Sequence, residues 1–298
     1  MNPTTGFWLS FLFIFATATA CQTETALPPS AFEQGNAFAQ VGALQEAKSA
    51  YETALLRAPT HLEIYRQLGI VEFQLGLYAA ATTHLHHCIS GNPKDGEASF
   101  FMAEILRSEE KYLDAARFYQ KTLSVLPRHL LALQALTWCQ LELHQYTAAM
   151  HTIEKAQQVS PHDVHNTLLL AHIWIEQHQE GKALAVLKTP PVSLSPELEA
   201  LWLSTRGKAQ LGFKENLSAY HSFRAALEKA PLLASALLGI GTTYFRFGQV
   251  AEAKEYLELA IHVNPKLTEG YRLLSILLQK SHPALAKKYQ EIFVKRTH

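Results

Sequence analysis

The sequence predicts an all-α protein, an α-solenoid of about eight helix-turn-helix units wound into a superhelix. Three observations carry the prediction. An Ala followed twelve positions later by a Pro recurs at Ala47 and Pro59, Ala81 and Pro93, Ala115 and Pro127, Ala149 and Pro161, Ala219 and Pro231, and Ala253 and Pro265. The alanines stand 34 residues apart as far as Ala149, and the 70 residues from there to Ala219 hold two periods and two extra residues. Each of seven units also pairs a residue that is small in most of them (Gly35, Gly69, Ala103, Thr137, Ala171, Gly207, Gly241) with a large one sixteen positions on (Tyr51, Leu85, Tyr119, Ile153, Leu187, Phe223, Leu257). A period in this range is the signature of stacked units, each burying its apolar face against its neighbours.

Composition agrees with one long array. The chain has 298 residues, 48% hydrophobic and 17% charged, so it has ample apolar surface to bury. Lys plus Arg equals Asp plus Glu at 26 each, which leaves no net field of the kind that holds a phosphate backbone, so nucleic acid is not an expected partner. Three cysteines, Cys21, Cys88 and Cys139, are too few for a disulfide scaffold. Cys88 stands where other units carry Ala or Thr, which marks it as a small packed residue.

The amino-terminal stretch reads differently. "FWLSFLFIF" at residues 7–15 is too short to span a bilayer, and the small residues "ATATA" after it fit a secretory signal over residues 1–20, although no Lys or Arg precedes Lys48. "ATAC", ending at Cys21, resembles the lipobox of bacterial lipoproteins. The resemblance implies acylation of Cys21, a lipid anchor as the sole membrane contact, and, with Gln22 next, sorting to the outer membrane facing the periplasm; the alternative is ordinary cleavage after Ala20, which leaves a soluble periplasmic or secreted protein. Residues 21–29 then form a polar tether whose Pro28 and Pro29 forbid helix. Ser30 with Glu33 three residues on is a capping box, which opens a solenoid predicted over residues 30–298.

Units are expected to start near residues 28, 62, 96, 130, 164, 200, 234 and 268. "YRQLGIVEFQLG" and "LLGIGTTYFRFG" keep one spacing of apolar and Gly positions, with the small residue letting two antiparallel helices approach closely and the Pro ending the second. In these positions the chain resembles the tetratricopeptide repeat family from residue 28 to the end. The fifth unit departs from the pattern, with Ser195 in place of Pro and "KTPPVSLSP" after its second helix; Ser195-Pro196 reads as a fresh helix start and the stretch as an elbow. The last unit, with its second helix from Pro283 in mixed charged and apolar residues, reads as a cap.

No catalytic motif stands out: there is no H-E-x-x-H, no Gly-rich phosphate loop, no G-x-S-x-G and no Cys pair at zinc spacing. "HLHHC" places His84 and His87 on one helical face with Cys88 a turn from His84, but Cys88 holds a packing position and the histidines fall on variable, outward ones, so no metal, cofactor or small-molecule substrate is expected.

The resemblance implies instead that inner-face positions of the first helices line a concave groove for other proteins or peptide segments. Here those positions carry Phe32, Asn36, Arg66, Ile70, Phe73, Phe100, Glu104, Arg107, Gln134, Trp138, Leu141, Leu168, His172 and Ile175. Phe73, Phe100 and Trp138, on successive units, are the expected exposed anchors. The carboxylate clamp of chaperone-binding relatives is not matched, since of Phe32, Asn36, Gln67, Glu97 and Phe101 one alone, Asn36, agrees. The expected role is a non-enzymatic interaction scaffold exported to the cell envelope. The alternatives are an assembly factor similar to the pilotins of secretin or pilus pores, and an adaptor for envelope hydrolases.

Overall fold

The computed structural model describes residues 30–191 and 193–297, so the leader, Cys21 and the tether lie outside the described residues. Those residues form sixteen α-helices and no strand. In chain order they are α1 (Ala31–Gln40), α2 (Leu44–Arg57), α3 (Leu62–Gln74), α4 (Tyr78–Gly91), α5 (Gly96–Ser108), α6 (Tyr112–Val125), α7 (Leu130–Glu142) and α8 (Tyr146–Val159). Then follow α9 (Val164–Glu176), α10 (Glu180–Val186), α11 (Pro196–Gly212), α12 (Asn216–Lys229), α13 (Ala234–Phe247), α14 (Val250–Val263), α15 (Thr268–Leu278) and α16 (Pro283–Thr297). Each helix packs on the next, and first helices of successive units meet directly, as α7 meets α9 and α9 meets α11.

Local chemistry sets the helix ends. The Ser30 hydroxyl accepts the Glu33 amide at 3.2 Å while the Glu33 carboxylate accepts the Ser30 amide at 2.7 Å, the reciprocal capping box read from the sequence. Asp95, His129 and Asp163 cap α5, α7 and α9 from one side only, each side chain accepting the amide three residues on. The turn between the two helices of a unit is a left-handed C-cap that the sequence period did not disclose. Gly42, Gly76 and Gly248 have φ of 74°, 75° and 76°, and in the units between them Glu110, His144, His178 and Lys214 take φ of 55° to 65°. In each the amide that follows donates five residues back, as Lys111 does to the Leu106 carbonyl at 2.9 Å.

Close approach within a unit follows the small-large pairing. A Cβ on Gly207 would stand 2.8 Å from the Phe223 ring, and one on Gly69 would stand 2.7 Å from Leu85, so these helices touch where only hydrogen fits. The core is accordingly a row of local clusters at the junctions between units. One gathers Leu133, Ile153 and Ile173 from the fourth and fifth units, and another Leu203, Phe223 and Ile240 from the sixth and seventh. Cys88 and Cys139 sit free in two of these clusters, fully buried, and burial pushes both thiols up to about 12, which leaves them unreactive packing groups.

The fifth unit is irregular where the sequence departs from its pattern. Its second helix, α10, has 7 residues against 14 in α8 or α12. α11 begins at Pro196, four residues before the start expected near 200, because the Ser195 hydroxyl accepts the Leu198 amide at 3.2 Å and Pro196 suits the first helical turn. The eighth unit keeps both helices, and α16 lays Ala286 and Tyr289 against α15 and α14.

Candidate protein-binding groove

The row of first helices brings one ladder of side chains together across the fourth, fifth and sixth units. Trp138 of α7 meets His172 of α9 edge to face, ring centroids 6.3 Å apart. The His172 Nε2 lies 3.4 Å from the Thr205 hydroxyl of α11. One turn beyond His172, Glu176 accepts from Lys208 of α11 at 2.8 Å. Trp138 is 38% exposed, an open aromatic on an otherwise packed row.

Burial pushes His172 down to about 4, with Lys208 adding to the effect, so the imidazole is neutral at physiological pH. Burial also raises the Glu142 carboxyl, and the neighbouring charge of Glu176 raises it further. For Glu176 burial pushes the same way, but the hydrogen bond and charge of Lys208 outweigh it and the net shift is downward.

The other expected groove residues are distributed less openly. Ile70, Leu141, Leu168 and Ile175 are 8% exposed or less and act as packing between helices. Phe73 and Phe100 are half-buried, each with its ring 5.4 Å from Phe101, and Phe100 also lies 4.7 Å from His129. Phe73 is thus covered by a ring of the next unit and Phe100 by its own chain neighbour and by His129, which the position alone does not reveal. Phe32 tilts against Tyr51, whose hydroxyl donates to Asn36 at 2.7 Å.

Four polar members, Arg66, Glu104, Arg107 and Gln134, hold junctions between or within units. Arg66 reaches Asp95 at 3.2 Å, with Glu63 and Glu97 also in ion-pair range. Arg107 pairs with Glu104 at 2.6 Å, and the Tyr119 hydroxyl donates to that carboxylate at 2.5 Å. Gln134 donates to Asp163 and Asn166, both at 2.9 Å. Sequence reasoning missed Glu142, Glu176 and Lys208; the 34-residue spacing of the two glutamates was the available signal.

The "HLHHC" stretch needs correction. His84 is not an outward residue: its Nδ1 sits 2.6 Å from the carboxylate of Glu72, which is 2% exposed between helices. His87 lies tilted against Tyr65 with ring centroids 4.0 Å apart, and the Cys88 thiol donates to Asp95 at 3.4 Å. The three side chains engage three different partners. A surface depression of about 500 Å³ lies away from the groove, against α1 and α2 near Phe38.

Comparison with known proteins agrees with this architecture. Residues 32–85 and 234–267 each match the tetratricopeptide repeat. The BBSome complex member BBS4 of Bos taurus is 24% identical over 247 residues, 80% of this chain and 45% of that protein, so the chain spans less than half the length of that relative. A tetratricopeptide repeat protein from Parabacteroides merdae superposes with a TM-score of 0.68 at 16% identity, covering 83% of this chain and 97% of that one. The APC/C hetero-tetramer Cut9-Hcn1 gives 0.61 at 15% identity over 82% and 48%, and yeast Tom70 gives 0.57 at 15% over 85% and 55%. At such identities the likeness establishes the fold: the chain is an α-solenoid in which residues 32–85 and 234–267 match the tetratricopeptide repeat.

Proposed function

We propose that the protein is a non-enzymatic scaffold that binds segments of other proteins along the concave row of its first helices. The observation that carries this reading is Trp138, an exposed indole on a row whose other large apolar members are buried or half-buried. A large aromatic left in water beside packed helices is the usual form of an interface anchor, and a curved stack of helices offers extended or helical segments a continuous surface. The naming of the bovine relative as a member of a multi-protein complex supports the same class of role.

The proposal includes export. The apolar run at residues 7–15 and "ATAC" support cleavage before Cys21, acylation of that Cys and attachment to the outer membrane on the periplasmic side. Stable anchoring then takes more than one acyl chain. No described helix is long and apolar enough to cross a membrane. Mass spectrometry of the membrane fraction tests this half: the mature protein is expected to start at an acylated Cys21, and an unmodified start rejects the anchor.

A photo-crosslinking amino acid placed at position 138 tests the groove, with position 83 on the exposed side of α4 as the control. In envelope extract, crosslinked adducts are expected from position 138 and not from position 83. Adducts from position 83 alone reject the concave face as the binding surface.

A further inference from the structure

The fifth and sixth units show how this groove balances charge. Glu176, at the end of α9, receives Lys208 from the next first helix at 2.8 Å. One unit earlier the same register pairs Glu142, at the end of α7, with His172. His172 is neutral at physiological pH because burial holds its proton affinity down, so it brings no cation to that step. His144 and Lys208 act on Glu142 through their charge alone and neither reaches it as an ion pair, since the His144 Nδ1 lies 2.9 Å from the Tyr146 hydroxyl and Lys208 pairs with Glu176. Glu142 is left exposed with no ion pair and no side-chain hydrogen bond among the described residues. It stands one helical turn after Trp138, on the same face of α7.

We propose that the groove takes a Lys or Arg side chain of a bound segment at this step, its stem lying on Trp138 and its charge on Glu142. The inference rests on the groove reading and specifies its partner: an extended, mainly apolar segment with a basic residue. An aromatic face and a free carboxylate one turn apart make a complementary seat for such a side chain, through cation–π attraction and an ion pair together. The molecule itself displays a lysine accepted at this edge. Lys266, from the turn after α14, reaches across the solenoid to pair with Glu110, and the Glu110 charge is among those felt by Glu142.

The test uses a blocked octapeptide, Ser-Leu-Ser-Phe-X-Leu-Ser-Ser, with X as Lys, Gln or Glu, titrated calorimetrically into the full chain and into Glu142→Gln and Trp138→Ala. Wild type is expected to bind the Lys peptide about fivefold tighter than the Gln peptide and the Glu peptide most weakly. In Glu142→Gln the Lys preference is expected to vanish. If all three peptides bind wild type equally and Trp138→Ala weakens them equally, the groove reading stands and this inference fails. A Lys preference that survives in Glu142→Gln also overturns it, and no binding by any peptide rejects both. Glu142 is exposed, so its substitution leaves the fold intact, which a melting curve verifies.

Discussion

The ring of Phe223 fills the place a Cβ on Gly207 would occupy, with its Cε1 2.8 Å from that point. Gly239, from the next unit, approaches the same atoms of that ring. One aromatic thus sets the spacing within the sixth unit and between the sixth and seventh.

Gly207→Ala is expected to destabilise the protein by about 1–3 kcal/mol, because overpacking against Phe223 outweighs the better helix propensity of Ala. Thermal melting measures it. A rise in melting temperature would show that Phe223 can rotate away at little cost.

Much of this architecture was legible because it depends on residue size at fixed spacing. Gly69 opposite Leu85 and Ser30 with Glu33 are local or strictly periodic relations, and the helices follow them. What was not legible depends on neighbours that the period does not specify. Phe73 and Phe100 occupy groove positions, yet the ring of Phe101 from the third unit covers part of both. That the register opposite Glu142 carries a neutral His172 where the next unit carries Lys208 depends on how α7, α9 and α11 enclose the imidazole. The left-handed turn escaped notice because four of its seven residues are Glu, His or Lys instead of Gly.

That turn yields a second prediction. Lys214 holds φ at 65°, a conformation unfavourable for any residue with a Cβ. Lys214→Gly is expected to stabilise the protein by about 0.5–1 kcal/mol, relief of the left-handed strain exceeding the added freedom of the unfolded chain. Urea denaturation checks this, and an unchanged or lower midpoint contradicts it.

A third concerns pH. The folded state holds His172 down to about 4, against an ordinary value of 6.5. Between those values the unfolded chain binds a proton that the folded chain does not, so stability is full above pH 6.5 and declines as pH falls towards 4, by at most about 3 kcal/mol. Lys208 adds to the depression and Glu176 opposes it. Denaturation midpoints from pH 7 to 4.5 are expected to fall more steeply for wild type than for His172→Gln. Parallel curves would remove His172 as the cause.

The measurement that tests the account most directly pairs binding with stability at Trp138. Wild type, Trp138→Ala and Phe223→Ala are melted, and the first two are compared in capturing partner proteins from envelope extract. Trp138→Ala is expected to lose the partner, by about 2 kcal/mol or more in affinity, while melting close to wild type; Phe223→Ala is expected to lose about 3–5 kcal/mol of stability. A Trp138→Ala protein that melts as badly as Phe223→Ala, or that melts normally and keeps every partner, would contradict the assignment of the concave row as the binding surface.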